Sequence, residues 1–114
     1  MATPFDSIID EVVESIKNAF GDALVSVILY GSYARGDFDN DSDIDIMAIV
    51  NLPMDEIAKH NSEMDRVASR MSLESENCTT VCISLQDRAT FDRYSTVLPF
   101  FSNVLSEGVL LYAA

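Results

Sequence analysis

The sequence predicts an α/β (α+β) fold: a mixed β-sheet with helices packed on it. Three observations lead there. β-rich apolar runs at 23–30, 43–50 and 79–85 alternate with stretches of helical periodicity at 4–20, 53–73 and 99–107. The first two strands are joined by a twelve-residue loop, which does not require them to run parallel. With 48% apolar residues in 114, the chain carries enough hydrophobic side chain for one packed core and is expected to form a single domain over 1–114.

The elements follow in order. Thr3, Pro4, Phe5 and Asp6 form a helix start, with Thr as N-cap, Pro in the first turn and an acid at the third position. Ile9, Val12, Val13, Ile16 and Phe20 then recur at helical spacing, and Gly21 is placed to stop the helix. Ala23 to Tyr30 is nearly all apolar, as in a strand covered on both faces. Gly31 to Ser42 is polar, with Gly31 and Gly36, and reads as a loop holding a short helical turn. Asp43 to Val50 is a second strand, acidic where it begins and apolar afterwards. Pro53 to Leu73 reads as one helix with Ile57, Met64, Val67, Ala68 and Met71 on a shared face. Thr79 to Leu85 is a third strand, Gln86 to Tyr94 a weak helix, Pro99 to Glu107 a helix stopped by Gly108, and Val109 to Tyr112 an edge strand.

Charge and composition restrict the function. The formal net charge of −12 argues against direct nucleic-acid binding, which needs a basic surface. It suits a basic protein partner and does not exclude a nucleotide whose phosphates are neutralised by metal. No apolar stretch approaches the ~20 residues of a membrane helix. The N-terminus lacks the pattern of a signal peptide, so a cytoplasmic location is expected. On one strand, Cys78 and Cys82 would lie about 13 Å apart, too far for a disulfide. They read as small buried hydrophobes rather than metal ligands, because His60 is remote in sequence and no C-x-x-C pattern exists. His60 itself reads as solvent-exposed. Phe100 and Phe101 read as core packing, with a partner patch as the alternative.

The loop between the first two strands carries the chemistry. Aspartates fall at 37, 39, 41, 43 and 45. The first three fit a solvated acidic loop. Asp43 and Asp45 are different: two residues apart on a strand, they point to the same face as the chain becomes apolar. Paired carboxylates repel unless a proton or cation lies between them, and a hard cation such as Mg²⁺ suits them. The D-x-D-x-D calcium loop starts well at Asp37 but fails at its sixth and twelfth positions, Ser42 and Ala48. The P-loop pattern half-matches at Gly31 and Gly36, yet Asp37 stands where its lysine must be. What remains is a glycine turn that exposes backbone N–H groups, with Ser32 as a further donor. Phosphate on Gly31 and Ser32 and metal on Asp43 and Asp45 amount to a site for nucleotidyl transfer, with attack on an α-phosphate and departure of pyrophosphate.

Gly31, Ser32, Tyr33, Ala34, Arg35, Gly36 and Asp37, followed by Ser42, Asp43, Ile44 and Asp45, resemble the signature of the minimal nucleotidyltransferase family of the DNA polymerase β-like superfamily. The pattern G-S-x(10)-D-x-D is matched in full. The resemblance implies the polymerase β-like nucleotidyltransferase fold and a transferase dependent on one or two Mg²⁺ ions and on an NTP, ATP being the expected one. It implies nucleotide phosphates on Gly31 and Ser32, and metal on the catalytic pair Asp43 and Asp45. It also implies an antitoxin role, in which AMP passes to a tyrosine of a basic, helical, HEPN-type toxin. Arg35 has two roles open to it, phosphate contact or pairing with a nearby Asp. Tyr33 stacks on a base or packs on the next helix.

The superfamily usually adds a third carboxylate from a later strand, and the run Thr79 to Leu85 contains no acid. Asp87 lies beyond the run, some 15–20 Å from mid-strand on an extended chain. The alternative expectation is therefore a catalytically weak or inactive module that binds nucleotide or masks a partner. With no second domain to define a small-molecule acceptor, a partner protein or a second copy in a homo-oligomer is expected to complete the site.

Overall fold

The structure, a computed structural model, describes residues 4–36, 43–75 and 79–114, and the side chains of all of these except residues 4–6, 32 and 33. The acidic run Asp37, Asp39 and Asp41, the Thr3 cap and Cys78 lie outside the described residues.

Helix α1 (Pro4–Phe20) ends where Gly21 takes φ 54°, and a 3₁₀ turn leads into β1 (Leu24–Tyr30). A short helix α2 (Ser32–Arg35) follows Gly31, and β2 (Ile44–Val50) runs antiparallel to β1. Two helices, α3 (Met54–Ala58) and α4 (Asn61–Glu74), cross over to β3 (Val81–Asp87), which is parallel to β2. Then come α5 (Arg88–Tyr94), α6 (Pro99–Glu107) and β4 (Val109–Ala113), which pairs antiparallel with β1. The sheet order is β3-β2-β1-β4, a mixed sheet with β4 at one edge.

Strand alternation divides the core in two. Val27, Leu29, Ile44, Ile46, Ala48 and Val50 face α1, α3 and α4, where they bury Ile16, Ile57, Met64 and Met71. Ile28, Met47 and Ile49 face the other way and pack on Phe91, Phe101 and Val104 of α5 and α6. Both faces of the two central strands are therefore covered, and this is why their sequences are apolar almost without interruption.

Four expectations change. The helix predicted over 53–73 breaks at Lys59 and His60. The His60 N–H bonds to the carbonyl of Ile57 at 2.9 Å, a tight three-residue turn, and α4 starts again from the His60 carbonyl, which accepts from Met64 N–H at 3.0 Å. Ile57 and Met64 are seven residues apart and still share the buried face, so hydrophobic periodicity hides the break. His60 is half-buried rather than exposed: its ring lies on Phe20 with centroids 4.5 Å apart, and its Nδ1 is 3.2 Å from Glu63 Oε1.

The third strand lies two residues later than predicted. The end of α4 ties down the approach: Val81 N–H donates to Ser72 Oγ at 2.9 Å, and Ser75 Oγ donates to the Thr79 carbonyl at 3.3 Å. The shift carries Asp87 into the last rung of the ladder, opposite Val50, where it caps α5 by accepting the Thr90 N–H at 3.0 Å. The adjacent phenylalanines also separate. Phe101 is buried, with its ring 5.2 Å from that of Phe91, whereas Phe100 is 51% exposed.

Candidate active site

The covering provided by α5 and α6 stops short of one end of the sheet. At that end the face they cover presents Tyr30 of β1, Asp45 of β2 and Cys82 of β3. Register places them side by side: Tyr30 opposes Asp45, and Asp45 opposes Cys82. Asp43 precedes β2 on the same face and is exposed, while Asp45 is half-buried. The start of β2 is held by Ile44 N–H donating to the Thr80 carbonyl at 2.8 Å. This bond fixes the two carboxylates relative to β3.

Gly31 ends β1 beside this pair. Its φ is 77°, a left-handed conformation that L side chains rarely adopt. A Cβ there would stand 2.6 Å from Asp45 Oδ2. The glycine therefore serves both the turn and the carboxylate lying against its backbone. The chain then enters α2, closed by Arg35 N–H to the Gly31 carbonyl at 3.1 Å. A first helical turn of this kind leaves N–H groups pointing ahead of it. Ser32 begins that turn; its side chain and that of Tyr33 lie outside the described residues. Arg35 meets Glu107 of α6 at 3.5 Å, with both side chains nearly half exposed. Among the described residues this contact ties the end of α2 to the end of α6.

The electrostatics reflect the crowding of acids. Burial, and then the neighbouring Asp43 carboxylate, raise Asp45 above its ordinary value of 3.8. Burial and the charges of Asp43 and Asp45 likewise push the Cys82 thiol up. Burial also raises Tyr30, against the opposing hydrogen bond to Ser84 and with the help of Asp45 and Cys82. All three shifts disfavour more negative charge in this corner, as expected where a cation would be welcome.

A donor set for one is present. Ligand atoms of Asp43, Asp45 and Cys82 all lie within 4.8 Å of one another. Two hard oxygens with free lone pairs fit a divalent cation that also carries nucleotide phosphates. Next to Gly31, a cleft of about 170 Å³ is lined by Tyr30, Arg35, Phe100, Asn103, Val104 and Glu107. It is smaller than the roughly 300–1,000 Å³ of an enclosing ligand pocket, so it suits part of a nucleotide or an acceptor side chain. Phe100 meets the Tyr30 ring edge-on at 5.7 Å at the mouth of this cleft.

Gly31, Asp43 and Asp45 are thus brought together as the sequence predicted, with the backbone of Ser32 and Arg35 on the adjoining turn. Sequence reasoning missed Cys82, Tyr30 and Ser84, having read Cys82 as a buried hydrophobe. The signal was available: Thr80, Cys82, Ser84 and Gln86 alternate with Val81, Ile83 and Leu85, the pattern of a strand with one open polar face. A search for acids alone passes over it.

Comparison with known proteins agrees with this layout. The profile of the nucleotidyltransferase domain family matches residues 9–89. A candidate protein adenylyltransferase of Methanocaldococcus jannaschii is 31% identical over 108 residues, covering 94% of this chain and 71% of that one. The crystal structure of a candidate nucleotidyltransferase from Sulfolobus solfataricus superposes with a TM-score of 0.53 at 23% identity, over 94% of this chain and 78% of that one. A toxin–antitoxin crystal structure with AMP-PNP gives a TM-score of 0.56 at 25% identity, over 92% of this chain and 73% of that one. The α+β fold is that of the polymerase β-like enzymes, and the chain belongs to the nucleotidyltransferase domain family, in its minimal form.

Proposed function

We propose that this chain is a divalent-cation-dependent adenylyltransferase that moves AMP from ATP to a protein hydroxyl, the acceptor being a tyrosine of a HEPN-type toxin partner. The observation that carries the reading is the contact between the Gly31 backbone and the Asp45 carboxylate, with Asp43 alongside. It supports the reading because nucleotidyl transfer needs a turn that accepts phosphate beside a pair that holds a cation. The adenylyltransferase relative and the toxin–antitoxin neighbour holding AMP-PNP support the choice of nucleotide and of partner class.

In this reading Gly31 and Ser32 bind phosphate oxygens through the turn, and Arg35 adds a charge-assisted contact on leaving Glu107. Asp43 and Asp45 hold the cation, Mg²⁺ in the simplest case, which when bound neutralises phosphate charge. The acceptor oxygen bonds to the α-phosphorus as the bond to pyrophosphate breaks, and the hydroxyl proton passes to solvent. Phe100, exposed beside the cleft, offers apolar surface for an acceptor aromatic ring. The enzyme is placed in the cytoplasm, where nucleotide and partner would meet it. Among the described residues no helix is long and apolar enough to cross a membrane.

The test is incubation with α-labelled ATP, Mg²⁺ and the protein encoded by the adjacent gene. Label should move to that protein with the wild type and not with Asp43→Ala or Asp45→Ala. If both variants still bind and neutralise the partner, and no label moves even with the wild type, the chain is a binding module and the catalytic reading fails.

A further inference from the structure

Cys82 occupies the position on β3 directly opposite Asp45, on the face shared with Asp43. The thiol is not in a disulfide, and the residue is only partly buried. Its sulfur lies within 4.8 Å of a carboxylate oxygen from each aspartate. Tyr30 bounds the cluster on the core side. To bring its hydroxyl within 3.3 Å of Ser84 Oγ, the Tyr30 side chain must cross over β2 from β1 to β3. Gly31 bounds it at the end of β1, its backbone lying against the Asp45 carboxylate. Two oxygens and one sulfur therefore converge in a corner with protein on two sides.

This donor set differs in chemistry from a purely carboxylate one. Mg²⁺ is a hard ion that takes oxygen ligands and gains little from a thiolate. First-row ions such as Mn²⁺, Co²⁺ and Zn²⁺ accept oxygen and sulfur together, with affinity rising along that series as sulfur contributes. We propose that Cys82 is the third protein ligand of the cation held by Asp43 and Asp45, and that its sulfur makes the site bind a softer divalent ion of the Co²⁺ or Zn²⁺ type more tightly than Mg²⁺. The inference rests on the cation site of the adenylyltransferase reading and specifies which ion that site selects.

The test reads the metal directly. Co²⁺ is titrated into the metal-free full chain and thiolate-to-cobalt charge-transfer absorption is followed in the near ultraviolet. The same titration is run on Cys78→Ser, Cys82→Ser and Cys82→Asp, each checked for folding by circular dichroism. The band should appear in the wild type and in Cys78→Ser and vanish in Cys82→Ser, with Co²⁺ affinity lowered about tenfold or more. Cys82→Asp should also lose the band but bind Mg²⁺ more tightly than the wild type, a gain that a merely structural cysteine would not give. Co²⁺ binding without a thiolate band, or a band that survives Cys82→Ser, overturns the proposal even if AMP transfer is observed. A Cys82-dependent band in a protein that transfers no label sustains the metal site and instead removes the adenylyltransferase reading.

Discussion

Replacing Gly31 by alanine tests the tightest contact in the site. Gly31 has φ 77°, and a non-glycine residue in the left-handed region costs roughly 1–2 kcal/mol. The new Cβ would also lie 2.6 Å from Asp45 Oδ2, so the carboxylate must rotate. A side chain pushed about 30° off its rotamer costs on the order of 0.5–1.5 kcal/mol. Together these come to roughly 1.5–3.5 kcal/mol. For a domain of this size each kcal/mol lowers Tm by about 4–8 °C, so the fall should be at least about 6 °C. AMP transfer should fall further than the folded fraction does, because the displaced carboxylate is one of the cation-holding pair. Thermal unfolding by circular dichroism and transfer of α-label at a temperature where the variant is fully folded measure the two effects separately. A Gly31→Ala protein that melts and transfers like the wild type would refute both the turn and the contact.

Other outcomes follow from the same geometry. Asp45→Asn should raise the stability of the cation-free protein at neutral pH, since it removes a half-buried charge beside Asp43, while abolishing transfer; chemical denaturation in chelator and label transfer check the two halves. Asp87→Ala should cost about 1–2 kcal/mol through loss of the α5 cap yet leave transfer per folded molecule unchanged. Burial pushes the Asp87 carboxyl up, but hydrogen bonds from Thr90 and Gln86 outweigh it and hold the group below its ordinary 3.8. The stability it confers is therefore complete above about pH 4 and lost as pH falls through the lowered value, so Asp87→Ala should flatten the acid limb of stability against pH, measured by urea unfolding. Arg35→Ala removes an exposed ion pair with Glu107, a contact worth about 1 kcal/mol or less, and should weaken ATP binding about tenfold or more in calorimetric titration. Met71→Ala empties a fully buried position on α4 and should cost about 2–5 kcal/mol in denaturant unfolding without altering the site's cation preference.

Much of this architecture could be read from residue order, and the exceptions have physical causes. The bounds of α6 (Pro99–Glu107) match those predicted, because Pro99 in the first turn and Gly108 after the last are local signals that tertiary contacts did not override. The bounds of β1 and β2 differ from those predicted by one residue, since continuous apolar runs mark strands covered on both faces. The break at His60 was hidden because Ile57 and Met64 keep a helical phase across it. The two-residue shift of β3 accompanies hydrogen bonds of Ser72 and Ser75 to Val81 and Thr79, side-chain contacts that a hydrophobic pattern does not register. The site divides in the same way. Gly31, Asp43 and Asp45 belong to one continuous segment with a recognisable spacing, so the motif could be read directly. Cys82 joins them only through the parallel register of β2 and β3, which no local spacing specifies.

The most direct test of the central claim is the fate of the two ends of ATP. With the wild-type chain, a divalent cation and the partner protein, α-labelled ATP should label the partner and γ-labelled ATP should not, the γ-label leaving as pyrophosphate. Label arriving from the γ-position, or from neither position while the partner is still bound, would contradict nucleotidyl transfer at Gly31, Asp43 and Asp45.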